Sequence, residues 1–336
     1  MTDLALRVDE ALGGSDASIH ADGIYFDLPF GEYLADPALG SGSMKQLAFA
    51  PCDYWWGSWM NPQRRPEPST SAQRRGTAIH TLVFHGEPAF DRYYMRGADN
   101  TDDMTPAEKS AATKAANKRA AERGLIALPA EEYDRVALVC AKVMKNPYLL
   151  ECFSGGAPEV SVFWTELHGP KNTPMRKKAR FDYLKPRGIG DLKSVANQHE
   201  MPFPRACITA ITNYHYEVQA KHYLDARARL PALIEKATVY APMKPGAGMG
   251  ALLEALVKEK RFAWQWVFWQ SERAPVTWSR VLSPQNPILE LAGSIIHRAE
   301  ANYLQYLEQY GTSMWIETDK PVELFIEEMP AWFGRD

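Results

Sequence analysis

Apolar residues along this chain change period twice, from helical spacing to strand-like alternation and back again. In 130–144, Tyr133, Val136, Ala137, Val139, Cys140 and Val143 recur every three or four residues, which predicts a helix from Ala130 to Met144. Upstream, Ser43 closes the turn-like ADPALGSGS and is placed to cap a short helix beginning at Met44. RRGTAIHTLVF, from Arg74 to Phe84, reads as a buried helix, and the Ala- and Lys-rich Thr105–Arg123 as an exposed one that Gly124 ends. Beyond these the character changes. Glu159–Leu167, Met175–Leu184 and Gly188–Val195 are β-branched or aromatic-rich and separated by Gly and Pro, and they predict three successive strands. A helix is expected over Pro204–Leu230, then strands at Ala237–Tyr240, Phe262–Gln270 and Val276–Leu282, and a long amphipathic helix over Ile288–Tyr310. Pro62–Ser71, with Pro62, Pro66 and Pro68, reads as a loop. Residues 1–22, rich in Gly, Ser, Ala and Asp, are expected to be a flexible lead-in to one domain over 23–336.

Composition narrows the class. Of 336 residues, 46% are hydrophobic and 24% charged, which excludes a fibrous or wholly disordered chain. With 38 basic against 41 acidic residues the net charge is −3, so a protein that coats nucleic acid by bulk charge is excluded. Any nucleic-acid contact must use local patches, of which Arg64-Arg65, Arg74-Arg75 and Arg176-Lys177-Lys178 are candidates. No apolar core follows a basic start in Met1–Ala21, and no apolar run approaches the roughly 18 residues of a membrane span. A cytoplasmic protein without a membrane partner is expected. Cys52, Cys140, Cys152 and Cys207 form no C-x-x-C pair, so buried thiols are expected rather than a zinc site.

Chemistry concentrates at the second and third strands. Asp191 and Lys193 are two apart on one strand and so share a face, and a hairpin can bring Asp182 beside them. Two carboxylates with one ammonium suit a hard, oxygen-loving cation such as magnesium. The cation would activate a water and neutralise charge on a scissile phosphate, while Lys193 orients the water or steadies the transition state. Taken alone, D-x(8)-D-x-K also occurs on ordinary surface hairpins.

Further stretches make the pattern specific. YLADPALGSGSMKQLAFAPCDYWW near the start, RGTAIH at 75–80, ARFDYL with GDLKS at 179–194, NYHYEVQAKHYL at 213–224 and a strand-plus-helix tail stand in that order. Together they resemble the RecE-type nucleases of the PD-(D/E)XK superfamily over most of residues 30–335. The resemblance implies an α/β fold, with a central mixed β-sheet flanked by helices in a restriction-endonuclease-like core. It implies that Asp182 and Asp191 bind metal, that Lys193 is catalytic, and that His80 approaches the metal from an N-terminal helix. The carbonyl of Leu192 is a further ligand in this scheme, and Gln219 and Tyr223, one helical turn apart, support the site. Glu159 either adds a carboxylate or caps its strand. The cofactor implied is Mg²⁺, with Mn²⁺ able to substitute. The cysteine spacing does not match the iron–sulfur members, so no iron–sulfur cluster is expected.

The activity implied is digestion of one strand of linear double-stranded DNA, 5′→3′, leaving 3′ single strands. The partners implied are DNA ends, further copies in a homo-oligomeric ring (trimer or tetramer), and a single-strand annealing protein for recombination. Arg74 and Arg75, opening the His80 helix, are candidates for contacts to DNA phosphates. Other readings are an endonuclease or single-strand-specific nuclease on the same scaffold, or a catalytically silent DNA-binding protein. The alternating FAWQWVFWQ at 262–270 fits a strand packed on the long C-terminal helix, with a base-stacking surface as the second reading.

Overall fold

The computed structural model describes residues 19–65, 70–241, 248–317, 321–329 and 333. Residues 1–18 of the expected lead-in, and Pro66 and Pro68 of the expected loop, lie outside the described residues. His20 and Asp22 belong to the folded body. The His20 ring stacks on Phe163 at 4.9 Å, and Asp22 accepts from both the backbone N–H and the hydroxyl of Thr165.

The elements run β1 (Gly23–Tyr25), α1 (Phe30–Ala35), α2 (Ser41–Phe49), α3 (Pro51–Gly57), α4 (Ser71–His85), α5 (Glu87–Phe90), β2 (Tyr94–Arg96), α6 (Pro106–Glu122), β3 (Ile126–Leu128), α7 (Ala130–Lys145) and α8 (Pro147–Cys152). They continue with β4 (Ala157–His168), β5 (Thr173–Lys185), β6 (Gly188–Val195), α9 (Phe203–Asn213), α10 (Tyr216–Glu235), β7 (Val239–Tyr240), α11 (Met249–Lys258), β8 (Ala263–Gln270), β9 (Thr277–Leu282) and α12 (Pro287–Tyr310). The central sheet has the order β7-β1-β4-β5-β6-β8-β9. It is mixed: β1 runs parallel to β7 and β6 parallel to β8, and the other neighbours are antiparallel. This is the α/β sheet with flanking helices that the motif order implies.

Helices cover both faces. On one, Val160, Val162, Phe181, Trp264, Trp266 and Phe268 pack with Ala206, Cys207, Ala220, Leu224, Leu230 and Leu256 of α9, α10 and α11. On the other, Tyr183, Leu192, Val267 and Trp269 pack with Ile79 and Leu82 of α4 and with Val136, Val139 and Val143 of α7. The aromatic strand β8 is therefore buried on both sides, with Trp264 and Trp269 fully buried. This overturns the reading of 262–270 as a base-stacking surface. The C-terminal helix α12 packs mainly on α2 and α10 rather than on β8.

Other expectations shift for local reasons. The helix expected over 204–230 is two, because His215 takes a left-handed φ of 49° between α9 and α10 while its ring stacks on Phe49. The cap of α2 is Gly40 and not Ser43. α4 begins at Ser71 behind a Thr70–Gln73 capping box, so Arg74 and Arg75 lie inside it. Gly124, with φ of 66°, ends its helix as expected. The basic run 176–178 is spent internally. Arg176 pairs with Asp36, Lys177 bridges Glu166 and Glu300, and Lys178 donates to the carbonyls of Tyr33, Leu34 and Asp36. Of the cysteines, all free, Cys152 and Cys207 are buried and Cys52 and Cys140 half-buried.

Candidate active site

The site sits where two strands part. Pairing of β5 with β6 ends at Tyr183↔Gly190, which makes Asp182 and Asp191 the next residues on the diverging strands. Gly190 is needed there, because a Cβ would come within 2.6 Å of the Cys152 sulfur at the end of α8. The alternation of β5 also breaks at this point. Ala179 and Phe181 face the α10 layer, as does Leu184 beyond, while Tyr183 turns to the α4 layer. On β4 the position between Pro158↔Tyr183 and Val160↔Phe181 is Glu159, whose φ of 51° is left-handed. A non-glycine residue in that conformation stores backbone strain of a kind that gathers at functional sites.

Asp191 is 1% exposed, and its Oδ1 accepts from Lys193 Nζ at 2.6 Å and from Gln219 Nε2 at 3.1 Å. Its Oδ2 is buried with no hydrogen-bond partner among the described residues. Burial pushes the Asp191 carboxyl up to about 6, with Lys193 pulling it down and Asp182 pushing it further up. For Lys193, burial works to lower the ammonium, but Asp191 and Asp182 outweigh it and hold the group above the ordinary lysine value. Lys193 is thus a fixed positive charge at neutral pH.

Asp182 Oδ2 accepts the backbone N–H of Leu192 at 2.9 Å. From the opposite layer α4 brings His80, whose Nε2 lies 3.1 Å from the Leu192 carbonyl and 3.6 Å from Asp182 Oδ2. Asp182, Lys193, His80, Glu159 and Tyr223 all line one open cleft of about 1230 Å³. Tyr223 is buried at its floor, edge-on to Phe181 and Trp264. Glu159 faces the same cleft, but its Oε2 is held by His85 at 3.1 Å and Arg180 at 3.3 Å. Burial acts to raise its carboxyl, yet these partners bring it down to about 2. Arg75 lines the cleft while pairing with Glu132 at 3.2 Å, and Arg74 is exposed on α4.

Three neighbours escaped the sequence reading. Arg180 is two residues before Asp182 on β5, a spacing that placed it beside the site. Tyr216 is three residues before Gln219 and carries the Lys193 ammonium over its ring at 5.5 Å, a helical spacing that was equally visible. His85 had no such signal, because only the fold brings α4 against β4.

A divalent cation fits the donors. The unpartnered Asp191 Oδ2, the Asp182 carboxylate and the Leu192 carbonyl are hard oxygen donors, with the His80 imidazole beside them. They do not form a tight cage. Among the described residues, the group of three His or carboxylate atoms within 4.8 Å lies elsewhere, at Glu166, His168 and Glu300. There the buried Lys177 ammonium contacts both glutamates, at 2.6 and 2.5 Å, and already supplies the cation.

A mixed sheet whose central strands fork around two aspartates, with a lysine two residues beyond the second, defines the class of PD-(D/E)XK nucleases. The chain belongs to the family described as a PDDEXK-like domain of unknown function (DUF3799), which matches residues 49–233, more than half of its length. No curated protein sequence matches the chain. Among solved structures, it is similar to a crystal structure of a protein from Eubacterium rectale, described provisionally as an exonuclease. The identity is 13%, 80% of each chain is covered, and the TM-score is 0.44. No helix among the described residues is long and apolar enough to cross a membrane.

Proposed function

We propose that this chain is a metal-dependent exodeoxyribonuclease that hydrolyses one strand of linear double-stranded DNA. The observation that carries the proposal is the fork. Asp182 and Asp191 stand on diverging strands, Asp191 keeps a buried oxygen without a partner, and Lys193 is held charged beside it in an open cleft. A bound Mg²⁺ or Mn²⁺ would supply an acidified water and neutralise charge on the phosphate. Asp182, Asp191 and the Leu192 carbonyl would hold the ion, with His80 alongside. Lys193, a permanent donor, orients the attacking water and steadies negative charge on the phosphate oxygens. Gln219 fixes the Asp191 rotamer, and Tyr223 closes the floor of the cleft. Glu159, bound by His85 and Arg180, orders the cleft wall.

The RecE-type likeness supports 5′→3′ polarity, a 3′ single-strand product for recombination, a ring of three or four copies and a strand-annealing partner. Arg75 lines the cleft wall and Arg74 is exposed beside it on α4, where both would meet flanking phosphates. Replacing both with alanine is expected to weaken DNA binding and flatten its salt dependence. The deciding experiment is digestion of linear duplex labelled at the 5′ or the 3′ end, with Mg²⁺ or EDTA, and of a closed circle. Metal-dependent loss of the linear form alone, beginning at 5′ ends, is expected. Cutting of the circle would instead establish an endonuclease, and binding without cleavage of either substrate a silent scaffold.

A further inference from the structure

The break between α9 and α10 leaves a feature that the hydrolytic centre does not use. Tyr214 is 62% exposed, yet it lines the same cleft as Asp182 and Lys193. Its ring lies 5.6 Å from that of Tyr216 at an interplanar angle of 30°. Tyr216 in turn carries two ammonium groups, Lys193 at 5.5 Å and Lys45 at 5.3 Å. The position of Tyr214 is built rather than incidental. Lys45 Nζ donates to its carbonyl at 2.7 Å, and the next residue, His215, is held in a left-handed conformation. The His215 ring stacks on Phe49 at 4.5 Å, and its Nδ1 contacts Glu217 at 2.9 Å. A strained turn, anchored on both sides, thus holds a largely exposed aromatic ring at the wall of the cleft that Lys193 also lines.

We propose that Tyr214 is a stacking platform for an unpaired nucleobase of the strand being cut. This rests on the nuclease reading above and adds to it a subsite for a flat aromatic ligand. The occupant follows from continuity with the site. Lys193 lies 5.5 Å from the Tyr216 ring and Tyr214 5.6 Å beyond it, so the base of a nucleotide next to a phosphate held at Lys193 comes within reach of Tyr214. The lysines under Tyr216 supply positive charge for the backbone, while the open Tyr214 ring supplies a π-face that any base can use. A base can reach that ring only when it is free of its complement, so the platform selects a frayed or single-stranded end. Stacking of this kind tolerates sequence, because every base has a π-face.

The test is binding of a 5′-phosphorylated single-stranded oligonucleotide in EDTA, with 2-aminopurine placed in turn at the first three positions. Matched oligonucleotides are made abasic at those positions. Duplex cleavage by the unaltered protein is measured in parallel. Tyr214→Ala is expected to weaken binding of the intact oligonucleotide by about 5- to 150-fold, the range for loss of one stacked base. It should also abolish 2-aminopurine quenching at one position and leave abasic binding unchanged. Tyr214→Phe should keep both the affinity and the quenching. Equal binding by Tyr214→Ala and the unaltered protein, or an equal loss on abasic strands, would overturn the platform while leaving the nuclease standing if the duplex is still cut. An unaltered protein that neither binds nor cuts DNA would overturn both.

Discussion

Replacing Asp191 with asparagine separates the cost of the site from its use. The side chain is 1% exposed, and its shape and its acceptor oxygen toward Lys193 and Gln219 can be kept in Asp191→Asn. Two effects on stability oppose each other. Burial raises the carboxyl, because taking the ionised form out of water costs the metal-free fold on the order of several kcal/mol at pH 7. The substitution removes that cost. It also leaves the Lys193 ammonium, 18% exposed, facing a neutral amide oxygen in place of its charged partner at 2.6 Å, and stripping the charge from one partner of a buried pair costs up to about 3–5 kcal/mol. The Asp182 carboxylate still faces Lys193 and softens that loss. The metal-free variant should therefore unfold within about 2 kcal/mol of the unaltered protein in a urea titration at pH 7. Function should not survive. With one hard donor lost, cleavage of linear duplex should fall at least about 100- to 1000-fold, the scale for removing one electrostatic contributor to a transition state. The rise in melting temperature on adding millimolar Mg²⁺ should shrink with it. A variant that cuts DNA within about threefold of the unaltered protein would refute the assignment of Asp191. A variant unfolded at pH 7 would refute the balance between desolvation of Asp191 and its pairing with Lys193.

Other consequences follow from the same contacts. Gln219→Ala removes the 3.1 Å bond to Asp191, a hydrogen bond to a charged group worth about 1.5–3 kcal/mol. Single-turnover cleavage should slow about 10- to 100-fold with little change in KM, and an unchanged rate would remove Gln219 from its positioning role. Lys177→Met leaves the buried Glu300 without its cation and the half-buried Glu166 with Arg229 alone, and should destabilise by about 3–5 kcal/mol in urea; a stability within 1 kcal/mol, roughly the worth of a surface pair, would show that the bridge is not stabilising. His222 is fully buried, and burial lowers its imidazole from 6.5 to about 4 despite its contact with the Lys178 carbonyl at 2.9 Å. The unfolded chain then takes up the proton first. The stability due to neutral His222 is complete above pH 6.5 and lost as pH falls to 4, a drop of about 3 kcal/mol. His222→Gln should flatten that part of the urea stability profile, and an identical slope would place the drop on other groups.

How much of this was legible in the residue order depends on the range of the forces involved. The three strands around residues 157–195 announce themselves because alternation and turn residues act between near neighbours. So does the pairing of Asp191 with Lys193, since positions two apart on a strand share a face. Gln219 and Tyr216 share a helical face in the same way. The sequence alone therefore determined the α/β class, the order of the motifs and the residue types at the centre. Their meeting was decided elsewhere. Only sheet pairing places β6 beside β5 and then lets the two part at Tyr183↔Gly190, opening the fork. Only packing from opposite faces brings His80 to the Leu192 carbonyl and Gln219 to Asp191. The run 176–178 looked like a basic patch, yet tertiary contacts turned it inward onto Asp36, Glu166 and Glu300, because a buried charge must find a partner. The helix expected across 204–230 broke at His215 because a stack on Phe49, distant in the chain, outweighs local propensity. Periodicity reports which face of an element is apolar, and only the assembled layers decide which distant groups that face will meet.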